Sequence, residues 1–156
     1  MNDDEFNQAL FGRFGATPTS GAYIAALRRL LKTSATHLAK VDGTKRRVYW
    51  IDGGSLGWLE CRGAHALDAT ISGQIIQLSA AYVELKVDVD VDRTSGTVES
   101  GRVLRVSAPH GDRIELDASP KSVPDSEERA RVETFMDQVL SAIAGHIVVG
   151  ASALEG

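Results

Sequence analysis

From Ala35 to Ala118 the chain carries eight short runs of strand-forming residues, separated by glycine-bearing turns too brief to hold a helical crossover. Parallel neighbours need a crossover of a dozen residues or more, so this spacing predicts an antiparallel meander. The runs are Thr36 to Val41, Arg46 to Asp52, Leu56 to Cys61, Leu67 to Ile71, Ile75 to Leu78, Tyr82 to Asp92, Thr97 to Ala108 and Arg113 to Ala118. Asp42-Gly43, Gly53-Gly54, Gly63, Gly73, Gly96 and Gly111 punctuate them. Of these, Asp52-Gly53-Gly54-Ser55 supplies the positive-φ positions that a tight hairpin requires.

The strongest alternation lies at Val83 to Asp92. There Val83, Leu85, Val87, Val89 and Val91 share one side of a strand, and Glu84, Lys86, Asp88, Asp90 and Asp92 share the other. Such a pattern predicts one face in the core and one in water. With a turn at Arg93 to Gly96, Val91 sits opposite Val98, but the same register sets Val87 against Arg102. One extra residue at Ser100-Gly101 would instead match Val87 with Leu104, Leu85 with Val106 and Val83 with Ala108, so a β-bulge is expected at Gly101. A turn at His110-Gly111-Asp112 then returns Ile114 and Leu116 to that face.

Helical periodicity brackets the strands. Phe6, Leu10, Phe11 and Phe14 form a short apolar face, and Tyr23, Ile24, Leu27, Leu30 and Leu31 a second one behind an N-cap at Thr19 or Ser20. At the other end Val132, Phe135, Met136, Val139, Leu140 and Ile143 make one stripe after an acidic start at Asp125 and Glu128, with Gly145 as the expected stop. The fold expected is α+β: a seven- or eight-stranded antiparallel curved sheet or barrel over residues 35–145, plugged by a helix from about Asp125 to Ala144. Residues 1–34 form a helical N-terminal extension and residues 146–156 a C-terminal tail.

A chain of 156 residues is long enough for one well-buried core. Its net charge of −4 conceals an asymmetry, with nine Lys and Arg to six Asp and Glu before residue 66, and eight to fifteen after it. A locally basic segment in an acidic protein suits a local anion site better than nucleic acid, which asks for a basic face or stripe. The acidic start at Asn2-Asp3-Asp4-Glu5 is unlike a secretory signal, and one cysteine excludes an internal disulfide; both favour the cytoplasm.

The basic segment is Lys45-Arg46-Arg47-Val48-Tyr49-Trp50-Ile51, which leads through Gly53-Gly54-Ser55 into Leu56-Gly57-Trp58-Leu59-Glu60-Cys61. Lys40, the short Val41 to Thr44 link and Lys45-Arg46-Arg47-Val48-Tyr49 resemble a pattern of the pleckstrin homology (PH) domain family, in which a lysine ends the first strand and Lys-x-Arg-x-aromatic opens the second. Gly53-Gly54-Ser55-Leu56 resembles the turn that follows. Arg113 to Ser119, Glu127-Glu128-Arg129, Phe135-Met136 and Ala142-Ile143 resemble the last strand and the capping helix, with Phe135 where the family usually has tryptophan. The resemblance covers about Ala35 to Ala144 and implies a non-catalytic adaptor that docks a protein partner, with weak phosphoinositide contact through Lys40, Lys45 and Arg47 at a membrane or cytoskeletal surface. It implies neither cofactor nor nucleic acid, and leaves the oligomeric state open.

Against this stand two plainer expectations. The same cations can be solvated strand-end charges paired with Asp42, Asp52 or Glu60. Alternatively the chain is a small ligand-binding or enzymatic cup whose long helix closes an apolar cavity. Other signals carry less. Asp88, Asp90, Asp92, Thr94, Gly96 and Glu99 match the spacing of a calcium loop, but Arg93 occupies its glycine position and a strand precedes it. Cys61 shares parity with Leu59 and reads as a buried thiol, and the four histidines lack metal spacing.

Overall fold

The computed structural model describes residues 2–12, 20–31, 36–63 and 69–155, which divide into two compact units meeting at Ile75 and Ile76. The elements run α1 (Asp3–Phe11), α2 (Gly21–Leu31), β1 (Thr36–Asp42), β2 (Lys45–Asp52), β3 (Ser55–Arg62), β4 (Thr70–Gln77), a single 3-10 turn (Leu78–Ala80), β5 (Tyr82–Val91), β6 (Val98–Ser107), β7 (Arg113–Asp117) and α3 (Ser126–Glu155). The strands form two antiparallel sheets, of order β1-β2-β3-β4 and β5-β6-β7. The described strands number seven and do not close into one barrel.

The expected strands Leu67 to Ile71 and Ile75 to Leu78 are a single strand in fact, with Leu67 and Asp68 outside the described residues. Gly73 does not break it. A Cβ at that position would lie 2.6 Å from the Trp58 carbonyl oxygen and 2.7 Å from Leu59 Cδ1, so glycine serves there to admit β3 at close range.

In the first unit, Asn2 caps α1 through a capping box with Glu5, and Ser20 opens α2, accepting from the Tyr23 and Ile24 amides. Phe14 and Thr19 lie outside the described residues. One face of the β1–β3 sheet meets both helices: Phe11, Tyr23, Ile24, Leu27 and Leu31 share a core with Val48, Trp50 and Cys61. Arg46 lies on that face, buried, with its guanidinium 5.1 Å from the Phe11 ring and bonded to Asn7 Oδ1 at 3.2 Å. Tyr23 is fully buried, and its hydroxyl donates towards the carbonyls of Leu59 at 2.9 Å and Arg46 at 3.2 Å, tying α2 to two strands. Burial pushes that hydroxyl's pKa up. Tyr23→Phe removes the donor and leaves buried carbonyls short of a partner, an expected loss of about 1–2 kcal/mol. Urea unfolding followed by tryptophan fluorescence checks it, because both tryptophans, Trp50 and Trp58, belong to this unit.

In the second unit, β5 and β6 pair without interruption from Tyr82–Ser107 to Val91–Val98. The bulge expected at Gly101 is therefore absent: Asp88 faces Gly101, Val87 faces Arg102 and Leu85 faces Leu104. The bulge follows only if Val87 needs an apolar neighbour in the core. In fact the β5 valine face is not core, since Leu85, Val87, Val89 and Val91 are each at least half exposed. Arg102 is directed to α3, bonding Glu133 with both its backbone amide and its guanidinium and Asp137 at 2.8 Å. The core of this unit lies where α3 packs on β6 and β7, with Leu104, Val106, Ile114, Leu116, Val132, Phe135, Met136 and Val139 buried. The β6–β7 register sets Leu104 against Leu116 and Val106 against Ile114, as the His110-Gly111-Asp112 turn predicts.

Asp125 opens α3, accepting from the Glu128 amide with its side chain and from the Arg129 amide with its carbonyl. The helix does not stop at Gly145 but continues to Glu155. Gly145 is absent from the glycines with positive φ, so it continues the helix as an ordinary interior residue, at about 1 kcal/mol relative to alanine. Among the described residues no helix is long and apolar enough to cross a membrane.

Candidate functional site

Strand parity sorts the basic segment onto two faces. Arg46 goes with the helices; Lys45, Arg47 and Tyr49 point the other way. The two-residue turn at Gly43-Thr44 sets Asp42 opposite Lys45 and Lys40 opposite Arg47. The turn at Gly53-Gly54, with Gly53 at φ 59°, sets Lys45 opposite Arg62, Arg47 opposite Glu60 and Tyr49 opposite Trp58. Lys40, Lys45 and Arg47, the three residues named from the sequence, therefore share one face. Arg62 joins them. The PH-like pattern does not include it, but the hairpin register counted out from Gly53-Gly54 places it beside Lys45.

Glu60 is the centre of this face. Its side chain is 3% exposed, accepting from Arg47 Nη2 at 2.7 Å and Arg62 Nε at 2.6 Å, with Lys45 Nζ at 4.0 Å. Burial alone would raise its pKa, but the hydrogen bonds from Arg62 and Arg47 and their charges outweigh it and hold the carboxyl below its ordinary range. Held low in this way, Glu60 is a poor proton acceptor near neutrality and serves as an anchor. Arg47 is fixed on three sides: by Glu60, by the Tyr49 hydroxyl at 3.2 Å, and by the Trp58 ring, whose centroid lies 4.0 Å from the guanidinium carbon. Trp58 is itself held through its indole N–H, which donates to Gln74 Oε1 at 3.2 Å.

The outcome is four cations, Lys40, Lys45, Arg47 and Arg62, to two carboxylates, Glu60 and Asp42, on one sheet face. Lys40 makes no ion pair among the described residues, and Arg62 is 62% exposed despite its bond to Glu60. Pairing with Glu60, one of the plainer expectations, holds for Arg47 and, at 4.0 Å, for Lys45, and does not extend to Lys40. Comparison of the chain with protein-family models, with curated proteins and with solved structures gives no match. The face is therefore described by its own chemistry: one guanidinium, Arg47, fixed over Trp58 and Tyr49, with Lys40, Lys45 and Arg62 around it.

The remaining sequence signals have structural explanations. Asp92 accepts from the amides of Thr94 and Ser95 and closes the β5–β6 turn; these bonds hold its carboxyl below the usual range. Cys61 is buried in the first unit's core, and burial pushes its thiol up. A cavity of about 310 Å³ in the second unit is lined by Glu84, Leu85, Lys86, Val103 and Arg105, all on β5 and β6. None of these residues belongs to α3, so this cavity is not the helix-closed cup considered from the sequence.

Proposed function

We propose that the chain is a non-catalytic, PH-like interaction module of the cytoplasm that docks an acidic segment of a protein partner on the Lys40, Lys45, Arg47 and Arg62 face. The observation that carries this is Arg47 fixed over Trp58 by Glu60, with Lys40 and Lys45 beside it. A guanidinium held in advance loses little side-chain freedom when a carboxylate arrives. The PH-like assignment draws on element order, four strands, then three, then one amphipathic helix. A phosphoinositide head group is the weaker occupant, because it calls for several unengaged cations and the Arg47 guanidinium is already shared with Glu60.

The test is a fluorescence anisotropy titration with a labelled glutamate-rich peptide, alongside sedimentation with vesicles that contain phosphoinositides. Lys40→Ala with Lys45→Ala is expected to weaken peptide binding about tenfold and to flatten its salt dependence, while vesicles leave the protein in the supernatant. Sedimentation with vesicles that the double variant abolishes would transfer the face to phosphoinositides. Peptide binding indifferent to both substitutions would remove the face from any role.

A further inference from the structure

Strand β5 is an open edge. Among the described residues it pairs with β6 on one side and with no strand on the other, so a row of backbone N–H and C=O groups faces outward over ten residues. The uninterrupted β5–β6 register leaves that edge without the bulge that commonly protects one, and β5 contains no proline. Its apolar side is exposed as well: Leu85 is 50% exposed, Val87 58%, Val89 61% and Val91 54%. Monomeric proteins seldom leave a contiguous apolar row of this kind uncovered beside an unpaired edge.

We propose that two copies of the chain join through β5, antiparallel about a twofold axis at Val87, to make one continuous six-stranded sheet. The stripe is self-complementary about that residue. Val87 meets Val87 of the second copy, Leu85 meets Val89, and Val83 meets Val91, so that all five residues of the apolar face gain an apolar cross-strand neighbour, while Tyr82 on the opposite face meets Asp92. On the other face Lys86, which already has Asp88 of its own strand at 3.2 Å, also meets Asp88 of the second copy, and the twofold axis makes this pair twice. Glu84 meets Asp90, the one like-charge pairing, and Glu84 already has Arg105 at 3.5 Å across the β5–β6 ladder.

Neighbouring registers are worse. An axis at Lys86 sets Lys86 against itself, and one at Asp88 sets Asp88 against itself. An axis at Leu85 brings Glu84 to Lys86 but leaves Val89 and Val91 without partners. An odd shift in pairing would put valines opposite aspartates. Because β5 belongs to the second unit and the basic face to the first, such a dimer carries two basic faces, and a partner with two acidic segments gains avidity from it.

Analytical ultracentrifugation of the full chain from about 1 to 100 µM tests the pairing. The expected species has twice the 16.7 kDa mass of one chain. Val87→Lys, at an exposed position, is expected to give a monomer whose unfolding curve shows that it is still folded. Lys86→Asp is expected to weaken the dimer about tenfold, and adding Asp88→Lys to restore it. A parent chain that is monomeric throughout overturns the proposal, as does a dimer that withstands Val87→Lys. Failure of the charge swap to restore pairing overturns the axis at Val87.

Discussion

Gly101→Ala is expected to destabilise the second unit by roughly 4 kcal/mol or more, at the upper end of what a single methyl group can do. A Cβ built on Gly101 falls 1.8 Å from the Ala118 carbonyl oxygen and 3.0 Å from Ser119 Cα. These are backbone atoms of the segment that leaves β7, so no side-chain rotation relieves the clash; the segment itself must move. Moving it breaks the bond from the Ala118 amide to the Arg102 carbonyl at 2.8 Å, next to the point where Glu133 of α3 binds the Arg102 amide. A bulge glycine would behave differently, because strand glycine to alanine away from such a contact changes stability by about 1 kcal/mol or less. Urea unfolding followed by circular dichroism, with the exposed Ser100→Ala as a control expected within about 0.5 kcal/mol, separates the two. A Gly101→Ala protein within about 1 kcal/mol of the parent would refute the close approach.

The same glycine shows what this sequence reveals and what it withholds. Antiparallel pairing, the registers set by the turns at Gly53-Gly54 and His110-Gly111-Asp112, the Asp125 start of α3 and its buried stripe are all legible, because each depends on residues a few positions apart. By their local sequence Gly73, Gly101 and Gly145 suggest a break, a bulge and a stop. In the fold they are two close backbone approaches and a helix interior. Glycine offers two distinct properties, freedom at positive φ and the absence of a Cβ, and the second shows only when the approaching element is known. The β5 stripe has the same limit: alternation reveals that Val83 to Val91 share a face but not whether anything covers it, and in the fold Leu85, Val87, Val89 and Val91 stay at least half exposed. For the basic face, Lys40, Lys45 and Arg47 come together in the sequence only through the PH resemblance, and the strand registers set them on one side of the sheet. Neither singles out Glu60 as their buried counter-charge, since burial depends on what packs around the carboxylate.

Glu60→Gln is expected to be the most damaging substitution on that face, lowering stability by about 2 kcal/mol. Removing one partner from a buried ion pair commonly costs 3–5 kcal/mol. Here the figure is smaller because the cations left behind reach water: the Arg47 side chain is 26% exposed and that of Arg62 is 62% exposed. Glutamine keeps the shape and one acceptor oxygen, but it removes the charge and sets an N–H donor against either Arg47 or Arg62, so the loss combines the charge with one hydrogen bond. The pH dependence has a fixed sign. Hydrogen bonds from Arg62 and Arg47 depress the folded carboxyl below its ordinary 4.5, so the unfolded chain takes up the proton first as pH falls. Glu60 thus contributes its full stability above about pH 4.5 and loses it as pH falls through the lower folded value. Urea unfolding monitored by the fluorescence of Trp50 and Trp58 should show parent and variant furthest apart at neutral pH and converging below pH 4.5. Curves that stay parallel down to pH 3 would mean that the Glu60 charge is not what holds Arg47 over Trp58. In that case the preset guanidinium, on which docking of an acidic segment depends, would have to be maintained by the aromatic rings alone.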